Sequence, residues 1–418
     1  MSNRNTIQAI RGVEDLLPVQ APLWHRIEDA ARDVFATFGF QEIRTPLLEP
    51  TPLFARSIGE ATDIVEKEMY TFDDKGGEPV TLRPEGTAGA VRAYVEHNLS
   101  EQLRLAKLYY MGPMFRRERP QKGRLRQFHQ IGAEVLGSAA PGVEATLLVM
   151  LKTFFERLGL ESTKLEINSL GGPESRALYR QRIYEHFKPR IGDFCGDCQR
   201  RIETNPLRIL DCKVDGEKTR GAPQILDFLN DQDKEHWHAV LRRLEDAGLT
   251  FDVNPRIVRG LDYYTRTVFE FTTDRLGAQN TVAAGGRYDG LVEQLGGKPT
   301  PAAGFAVGIE RLALLLSSNA KTVPAPHRPK LFIASLGAQA ERFALLTMLD
   351  LARQGIWCEI DYEGGSLKSQ MRYADRLGAE YVLVLGDNEL AAKKGDLKRM
   401  SDGSKEPVEL GKLAEKIA

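Results

Sequence analysis

Apolar residues recur every three or four positions from residue 21 to residue 38: Leu23, Trp24, Ile27, Ala30, Ala31, Val34, Phe35 and Phe38. That period predicts an amphipathic helix, with Gly39 placed to end it as a C-cap. Residues 40–48 read as extended, Pro46 marking an edge or an end. A helix and edge strand of this kind can pack on the domain's own sheet or on a second subunit. Residues 71–74 and 80–82, with Gly76-Gly77 between them, predict a hairpin. Pro84 and Gly86 then force a turn, and Thr87 is placed as the N-cap of a helix running to Tyr94. Residues 109–134 read as a strand, a charged loop and a returning strand. An apolar helix over 144–158 and a short strand over 164–168 follow. From 175 to 249 the chain is charged, helical and without strand alternation, as an inserted module would be. Residues 268–272 alternate as a strand, and 301–316 read as strand then helix. Residues 317–329 are polar with three prolines, which makes them a linker. Beyond them, strands at 331–335, 357–361 and 381–385 alternate with helices at 341–354 and 367–377. That alternation implies a mainly parallel sheet. A charged hairpin over 393–409 and a short helix close the chain.

At 418 residues the chain exceeds one compact core, so two or three domains are expected. The net charge of -1, with 28% charged and 42% hydrophobic residues, is ordinary for a soluble globular protein. Any contact with nucleic acid must then rest on local basic patches. The first residues carry no apolar run of signal-peptide length, and no stretch approaches the roughly 20 apolar residues of a membrane span. Four cysteines give no disulfide framework. A cytoplasmic enzyme without a membrane partner is expected.

The chemistry concentrates at residues 109–134. Alternation with period two puts Met114, Arg116 and Glu118 on one face of the outgoing strand. It puts Phe128, Gln130, Gly132 and Glu134 on one face of the returning strand. That face is polar where a sheet would bury apolar groups. Between residues 116 and 126 stand six basic residues and one acid. A solvated turn explains Lys122 and Arg124, but not Arg116 inside a strand beside Phe115. A buried guanidinium needs an anion, and a phosphate meets it with two parallel hydrogen bonds. Glu85, between strand and helix, reads either as a helix-start carboxylate or as a group that holds an ammonium.

Other stretches add to this. Arg259, Asp262, Tyr263 and Tyr264 cluster in a loop, where one tyrosine can be core and the other can line a pocket. Gly285 and Gly286 leave room for a ligand near the backbone, or mark a bulge. Neither a dinucleotide fingerprint nor a Walker A lysine is present. Arg311, one turn into a helix after Gly304 and Gly308, reads as partly buried. Cys195 and Cys198 form a CxxC half-site near Cys212, but a tetrahedral site needs a fourth ligand, and His186 has no matching spacing. Small buried or exposed thiols are the preferred reading, and no metal is assigned. Lys368, Arg372, Arg376, Lys393, Lys394, Lys398 and Arg399 give the last module a basic character that suits a polyanion.

Taken together, the motifs resemble those of the class II aminoacyl-tRNA synthetases, and among them the bacterial histidyl-tRNA synthetases. FQEIRTPLLEP is similar to the first class II motif, MFRRERPQKGRLRQFHQIGAE to the second and GFAVGIERL to the third. RGLDYYTRTVFEF and AAGGRYDGL resemble the two histidine-specific stretches; TLRPEGT and the tail after Pro329 also fit. The resemblance spans essentially the whole chain. It implies an α+β fold: an antiparallel six-stranded catalytic sheet flanked by helices, an inserted helical domain and a C-terminal α/β anticodon-binding domain. The catalytic core would span 1–171 and 251–320, the insertion 172–250, a linker 321–329 and the anticodon-binding domain 330–418. A homodimer formed through the first motif is also implied, which moves residues 21–48 toward an interface.

The activity implied by the resemblance is ATP-dependent ligation of L-histidine to tRNA(His) through a histidyl-adenylate, releasing AMP and diphosphate. ATP is then a substrate, and Mg2+ bridges its β- and γ-phosphates. By resemblance, Arg116 meets the α-phosphate and Arg311 the γ-phosphate. Arg259 lies near the α-phosphate and the substrate carboxylate, and these three would be catalytic. Glu118 and Arg124 would join Arg116 and Arg311 in binding ATP. Glu85, Thr87 and Gln130 match the residues that hold the α-amino group. Glu134 and Tyr264 match those that read the imidazole, with Tyr263 and Tyr288 lining the same pocket. Imidazole offers two distinct nitrogens, so one partner accepts from a ring N–H while the other satisfies the second nitrogen. The alternative is the paralogous regulatory subunit of ATP phosphoribosyltransferase. Such chains lack the C-terminal domain that this chain keeps.

Overall fold

The computed structural model describes residues 6–59, 62, 64–121, 123–210, 212, 214–258, 261–276, 280–317 and 327–417. The chain divides into two units, Met1–Pro324 and Ala325–Ala418.

The first unit carries eleven strands among its described residues. The early ones are β1 Gln41–Glu42, β2 Leu48–Pro50, β3 Tyr70–Asp73, β4 Pro79–Leu82, β5 Ala106–Phe115 and β6 Gln127–Leu136. The later ones are β7 Lys164–Ser169, β8 Asp252–Val253, β9 Thr265–Thr272, β10 Thr281–Arg287 and β11 Ala302–Gly308. The main sheet has eight strands in the order β1-β5-β6-β11-β10-β9-β7-β8. The six long ones, β5 to β7 in that order, are all antiparallel. They are the expected six-stranded sheet. At each edge a two-residue parallel strand, β1 or β8, extends it. β1 falls inside the segment 40–48 that reads as extended, whereas the two residues of β8 show no alternation and are not legible in the sequence.

This sheet has one apolar and one polar face. On one side Tyr109, Ile131, Ala133, Val135, Phe269, Phe271, Phe305 and Val307 are buried together. They are covered by the helices Ala21–Thr37 and Gly142–Leu158, through Leu23, Ile27, Phe35, Leu147, Phe154 and Phe155. Rings of Phe35 and Phe305 meet edge-on at 5.9 Å, and those of Phe155 and Phe271 at 5.2 Å. The helix predicted at residues 21–38 therefore packs its apolar stripe on its own sheet, not on a neighbour. Of the stretch shifted toward an interface, Leu47 and Leu48 are the large apolar side chains left exposed. The opposite face carries Tyr110, Gln130, Gly132, Glu134, Gly286, Gly304 and Glu270, brought level by the strand register.

Three local expectations are corrected. Arg116 and Glu118 lie beyond the end of β5, not inside it. The chain leaves the ladder because the Arg117 N–H bonds to the Glu68 carbonyl at 2.7 Å, a third segment competing for the backbone. Thr87 is the first residue of the Thr87–Glu96 helix, and its cap is the Glu85 carboxylate. One Glu85 oxygen accepts from the Thr87 N–H at 2.7 Å and the other from the Ala88 N–H at 2.8 Å. Only Gln41–Glu42 of the segment 40–48 joins the main sheet; Leu48–Pro50 pairs with β4 in a separate three-stranded sheet, β2-β4-β3. A short helix, Thr51–Ile58, follows that sheet's first strand, and its Pro52 was an overlooked start signal.

Between residues 173 and 246 the described secondary structure is helical: Pro173–Phe187, Gly196–Thr204 and Asp231–Asp246, with short turns of 3-10 helix. Asp233 fastens this segment to the sheet, accepting from the Gly172 N–H at 2.8 Å, Ser175 Oγ at 2.6 Å and Arg266 Nε at 3.1 Å. A second tie is buried. Arg287 donates to both oxygens of Glu144, at 2.8 and 2.6 Å, while His236 Nε2 lies 2.7 Å from one of them.

The second unit is an α/β module with β12 Leu331–Ser335, β13 Cys358–Ile360, β14 Tyr381–Leu385, β15 Lys394–Arg399 and β16 Lys405–Glu409. Its strand order is β13-β12-β14-β15-β16, the first three parallel and the hairpin antiparallel. The helices Ala338–Arg353 and Leu367–Leu377 lie where the periodicity puts them. Among the described helices, none is long and apolar enough to cross a membrane.

Candidate active site

A cavity of about 320 Å³ opens over the polar face of the main sheet. Glu85 and Thr87 line it from the turn into the Thr87–Glu96 helix. The hairpin β5–β6 brings Arg116, Glu118, Arg124 and Gln130. Tyr263 and Tyr264 enter from the loop before β9, Tyr288 from just after β10, and Arg311 from the helix Ile309–Ser317. Glu134 lies fully buried at the base of this wall, within reach of Thr87 and Tyr288.

The deep end is built from an acid and phenols. Glu134 accepts from Thr87 Oγ1 at 2.7 Å, from the Tyr110 hydroxyl at 3.1 Å and from the Tyr288 hydroxyl. The rings of Tyr263 and Tyr264 lie 4.7 Å apart, and those of Tyr263 and Tyr288 5.5 Å apart. Glycines make this possible. Gly286 pairs with Gly304, and Gly304 with Glu134, across neighbouring strands. A Cβ on Gly304 would stand 1.7 Å from Glu134 Oε2, and one on Gly286 3.0 Å from the Tyr264 ring. Glu134 and Tyr264 thus converge over a floor without side chains. Burial, opposed by the three hydroxyls, pushes the Glu134 carboxyl up to about 8. Burial also raises Tyr110, Tyr263 and Tyr288, so all three phenols stay protonated as donors.

Glu85 is buried and raised by its burial, against the pull of the Ala88 and Thr87 N–H groups and of Arg116. Both readings of Glu85 therefore meet in one residue: it caps a helix and it lines the cavity. Gln130 Oε1 is buried and has no hydrogen-bond partner among the described residues. Buried acceptors are rarely left so, which marks a place for a donor from a ligand.

The outer end is cationic. Arg116 donates from Nε to the Pro84 carbonyl at 2.8 Å and stacks on Phe128, 5.3 Å from the ring centroid. Arg124 pairs with Glu118 at 2.6 Å. Arg311 is fixed by backbone carbonyls, Thr281 at 2.5 Å and Gly123 at 3.4 Å. Burial, then the nearby Arg124, works against its charge and lowers its pKa. Guanidiniums crowded at one end of the cavity make it a place where an anion is favoured.

The structure thus brings together Glu85, Thr87, Arg116, Glu118, Arg124, Gln130, Tyr263, Tyr264, Tyr288 and Arg311, with Glu134 beneath them. Arg259 lies outside the described residues. Sequence reasoning missed Tyr110, Glu270 and Glu310. Tyr110 fills the space that a Cβ on Gly86 or Gly132 would need, coming within 2.1 and 2.2 Å of those positions. Glu270 lines the cavity and accepts from Thr281 Oγ1 at 2.8 Å. Its place between Phe269 and Phe271 was the signal. Glu310 accepts from the His129 N–H at 2.8 Å. Behind the tyrosine loop, Asn205 donates to Asp262 Oδ1 at 2.9 Å. Arg176 donates to the carbonyls of Asp262 and Tyr264 at 3.0 and 2.8 Å.

Guanidiniums and carboxylates gathered at one face of an antiparallel sheet, beside a phenol-lined pocket, fit the class II aminoacyl-tRNA synthetase arrangement. The chain belongs to the histidyl-tRNA synthetase family. The family described as Histidyl-tRNA synthetase matches residues 12–171 and 217–312, and the Anticodon binding domain family matches residues 330–418. The histidine--tRNA ligase of Trichlorobacter lovleyi is 55% identical over 409 residues, 97% of this chain and 96% of that protein. That of Geobacter sulfurreducens is 54% identical over 406 residues, 97% of each. The crystal structure of apo S. aureus histidyl-tRNA synthetase superposes with a TM-score of 0.83 at 40% identity, covering 99% of this chain and 100% of that one.

Proposed function

We propose that this chain is a histidine--tRNA ligase: it activates L-histidine with ATP and transfers it to tRNA(His). The alternative of a regulatory subunit is not favoured, since the full-length relatives at 55% and 54% identity are ligases. In the first step the histidine carboxylate bonds to the α-phosphorus, and the bond to the β-phosphate breaks, releasing diphosphate. An anion attacking an anion requires fixed positive charge around the phosphates. Arg116 and Arg311 are that charge in this reading, with Arg124 beside them, and Arg259 joins them by the resemblance of its stretch. In the second step a terminal ribose hydroxyl of the tRNA takes the acyl group, and AMP leaves.

Gln130 carries the amino-acid side of the reading. Its unmatched, buried carbonyl oxygen faces the same cavity as the Glu85 carboxylate, which suits an ammonium donor. Glu134 and Tyr264 then read the imidazole. A wrong amino acid leaves these polar groups unpaired, which supports large discrimination. Mg2+ takes oxygen ligands and is commonly held by one or two carboxylates plus phosphates. Glu118 and Glu270, both near Arg311 in the cavity, fit that requirement and are the residues that would hold the ion. When bound it would neutralise charge on the departing diphosphate.

A homodimer is part of the same proposal. Leu48, Pro50, Val80, Leu82, Tyr70 and Phe72 share one face of the sheet β2-β4-β3, and Leu48 and Phe72 are each 48% exposed. An apolar sheet face of this kind suits a second copy. Four free cysteines suit a reducing, cytoplasmic compartment. The test of the function is amino-acid-dependent exchange of diphosphate into ATP, run with each standard amino acid. Exchange with histidine alone is expected. Folded protein that gives no exchange with histidine would overturn the reading.

A further inference from the structure

The inserted segment holds a cluster that the synthetase chemistry does not use. Its residues run Cys195-x-x-Cys198, then thirteen residues (199–211), then Cys212-x-x-Asp215. Two half-sites of equal spacing separated by a loop are the sequence form of a zinc site, here with a carboxylate in the fourth place. The structure closes that loop. The three sulfurs and a carboxylate oxygen of Asp215 all lie within 4.8 Å of one another. Cys198, Cys212 and Asp215 are buried, at 0%, 7% and 3% exposure, and Cys195 is half-buried. The family match passes over residues 172–216, where the cluster lies.

We infer that Cys195, Cys198, Cys212 and Asp215 bind one structural zinc ion. The geometry favours a metal over a disulfide. Cys195 and Cys212 sulfurs stand 3.7 Å apart, far beyond the roughly 2.05 Å of a disulfide bond. With zinc–sulfur bonds of about 2.3 Å, two thiolates on a tetrahedral ion stand roughly 3.8 Å apart. The donor set, three soft sulfurs and one oxygen, selects zinc over magnesium or calcium. The surroundings are those of thiolate ligands. The Asp215 N–H points at Cys212 Sγ from 3.4 Å. Asp215 Oδ2 accepts from the Cys195 N–H at 2.7 Å, and Oδ1 pairs with Lys218 at 2.8 Å. Each oxygen keeps a further lone pair for the ion, and Lys218 offsets part of the anionic charge. No open position or substrate path is needed, since the ion would pin the start of the helix Gly196–Thr204 to Cys212 and Asp215. On binding, each cysteine thiol gives its proton to solvent and no electron is transferred.

The experiment equilibrates the reduced full-length chain with zinc, removes free metal and counts bound zinc. One ion per chain is expected, and replacement by cobalt should give the intense visible bands of a tetrahedral thiolate site. Cys198→Ser should lose the ion, while Cys358→Ser, in the other unit, should keep it. Asp215→Ala should weaken zinc by more than the roughly 10–100-fold that outer-shell changes produce. A smaller effect would overturn the four-ligand assignment. Should Cys198→Ser fail to fold, the cobalt spectrum of the wild-type chain decides. Wild-type protein without metal and without cobalt bands, or with a Cys195–Cys212 disulfide under non-reducing mass analysis, would overturn the site altogether.

Discussion

Glu144 and Glu134 are both sealed from solvent, each with 0% exposure, yet they respond to burial in opposite ways. Burial acts to raise Glu144, but Arg287 and His236 overcome it and bring its carboxyl down to about 2. Burial likewise acts to raise Glu134, and its hydroxyl partners are too weak to resist, so its carboxyl rises to about 8. Depth is the same; the partner differs. Glu144 meets a permanent cation and is complete as folded. Glu134 meets neutral hydroxyl donors beneath the cavity, and in the proposed function a ring N–H completes it. Buried charge that the fold neutralises is architecture, whereas buried polarity left for a visitor is a binding site.

Breaking the complete region should have the largest effect. Arg287→Ala leaves Glu144 uncompensated and should lower stability by about 3–5 kcal/mol, read by denaturant unfolding. Replacing both partners by apolar residues should restore much of it. An unchanged single variant would erase the contrast. Acid should act on the same pair. The unfolded Glu144 carboxyl takes its proton near 4.5 and the folded one only near 2. Stability from this pair is therefore present above pH 4.5 and lost as pH falls through 2.

Arg311→Ala should do the reverse. We expect diphosphate exchange to fall by about 10²–10³-fold with the unfolding midpoint nearly unmoved. A fall in stability to match would make Arg311 structural. Glu134→Gln comes next. Its loss should weaken histidine binding by about 1.5–3 kcal/mol, seen as a raised KM. The folded Glu134 keeps its proton to about 8 while the unfolded one loses it near 4.5, so wild-type stability declines as pH rises across that window. The glutamine variant should lack that decline. The smallest effect belongs outside both regions: Lys368→Ala, on an exposed helix face, should change stability by no more than about 0.5 kcal/mol.

Much of the contrast could be read in the sequence, but unevenly. Long elements announced themselves through pattern: β5, β6, β7, β9, β11 and the helices of the second unit lie where it puts them, whereas β10, Thr281–Arg287, reads only as a bulge or a ligand approach because Gly285 and Gly286 carry no side chains to alternate. Glu134 stood out as an acid on a strand. Arg287 and Glu144 did not, because their pairing joins positions 143 residues apart and each alone resembles a solvated charge. Arg116 was misplaced inside a strand because alternation cannot reveal that Glu68 captures the backbone at Arg117. Asp215 was passed over because aspartates are common, and only the fold shows this one turned toward three sulfurs.

Asn205 and Arg176 grip the loop that presents Tyr263 and Tyr264, through the Asp262 side chain and the Asp262 and Tyr264 carbonyls. The tyrosine loop is therefore clamped from outside the catalytic sheet. Under the proposed function, fidelity toward histidine becomes a shared property of the pocket and of the helical neighbour that holds its tyrosine loop. Sequence drift in that neighbour would surface first as altered selectivity, well before any loss of fold.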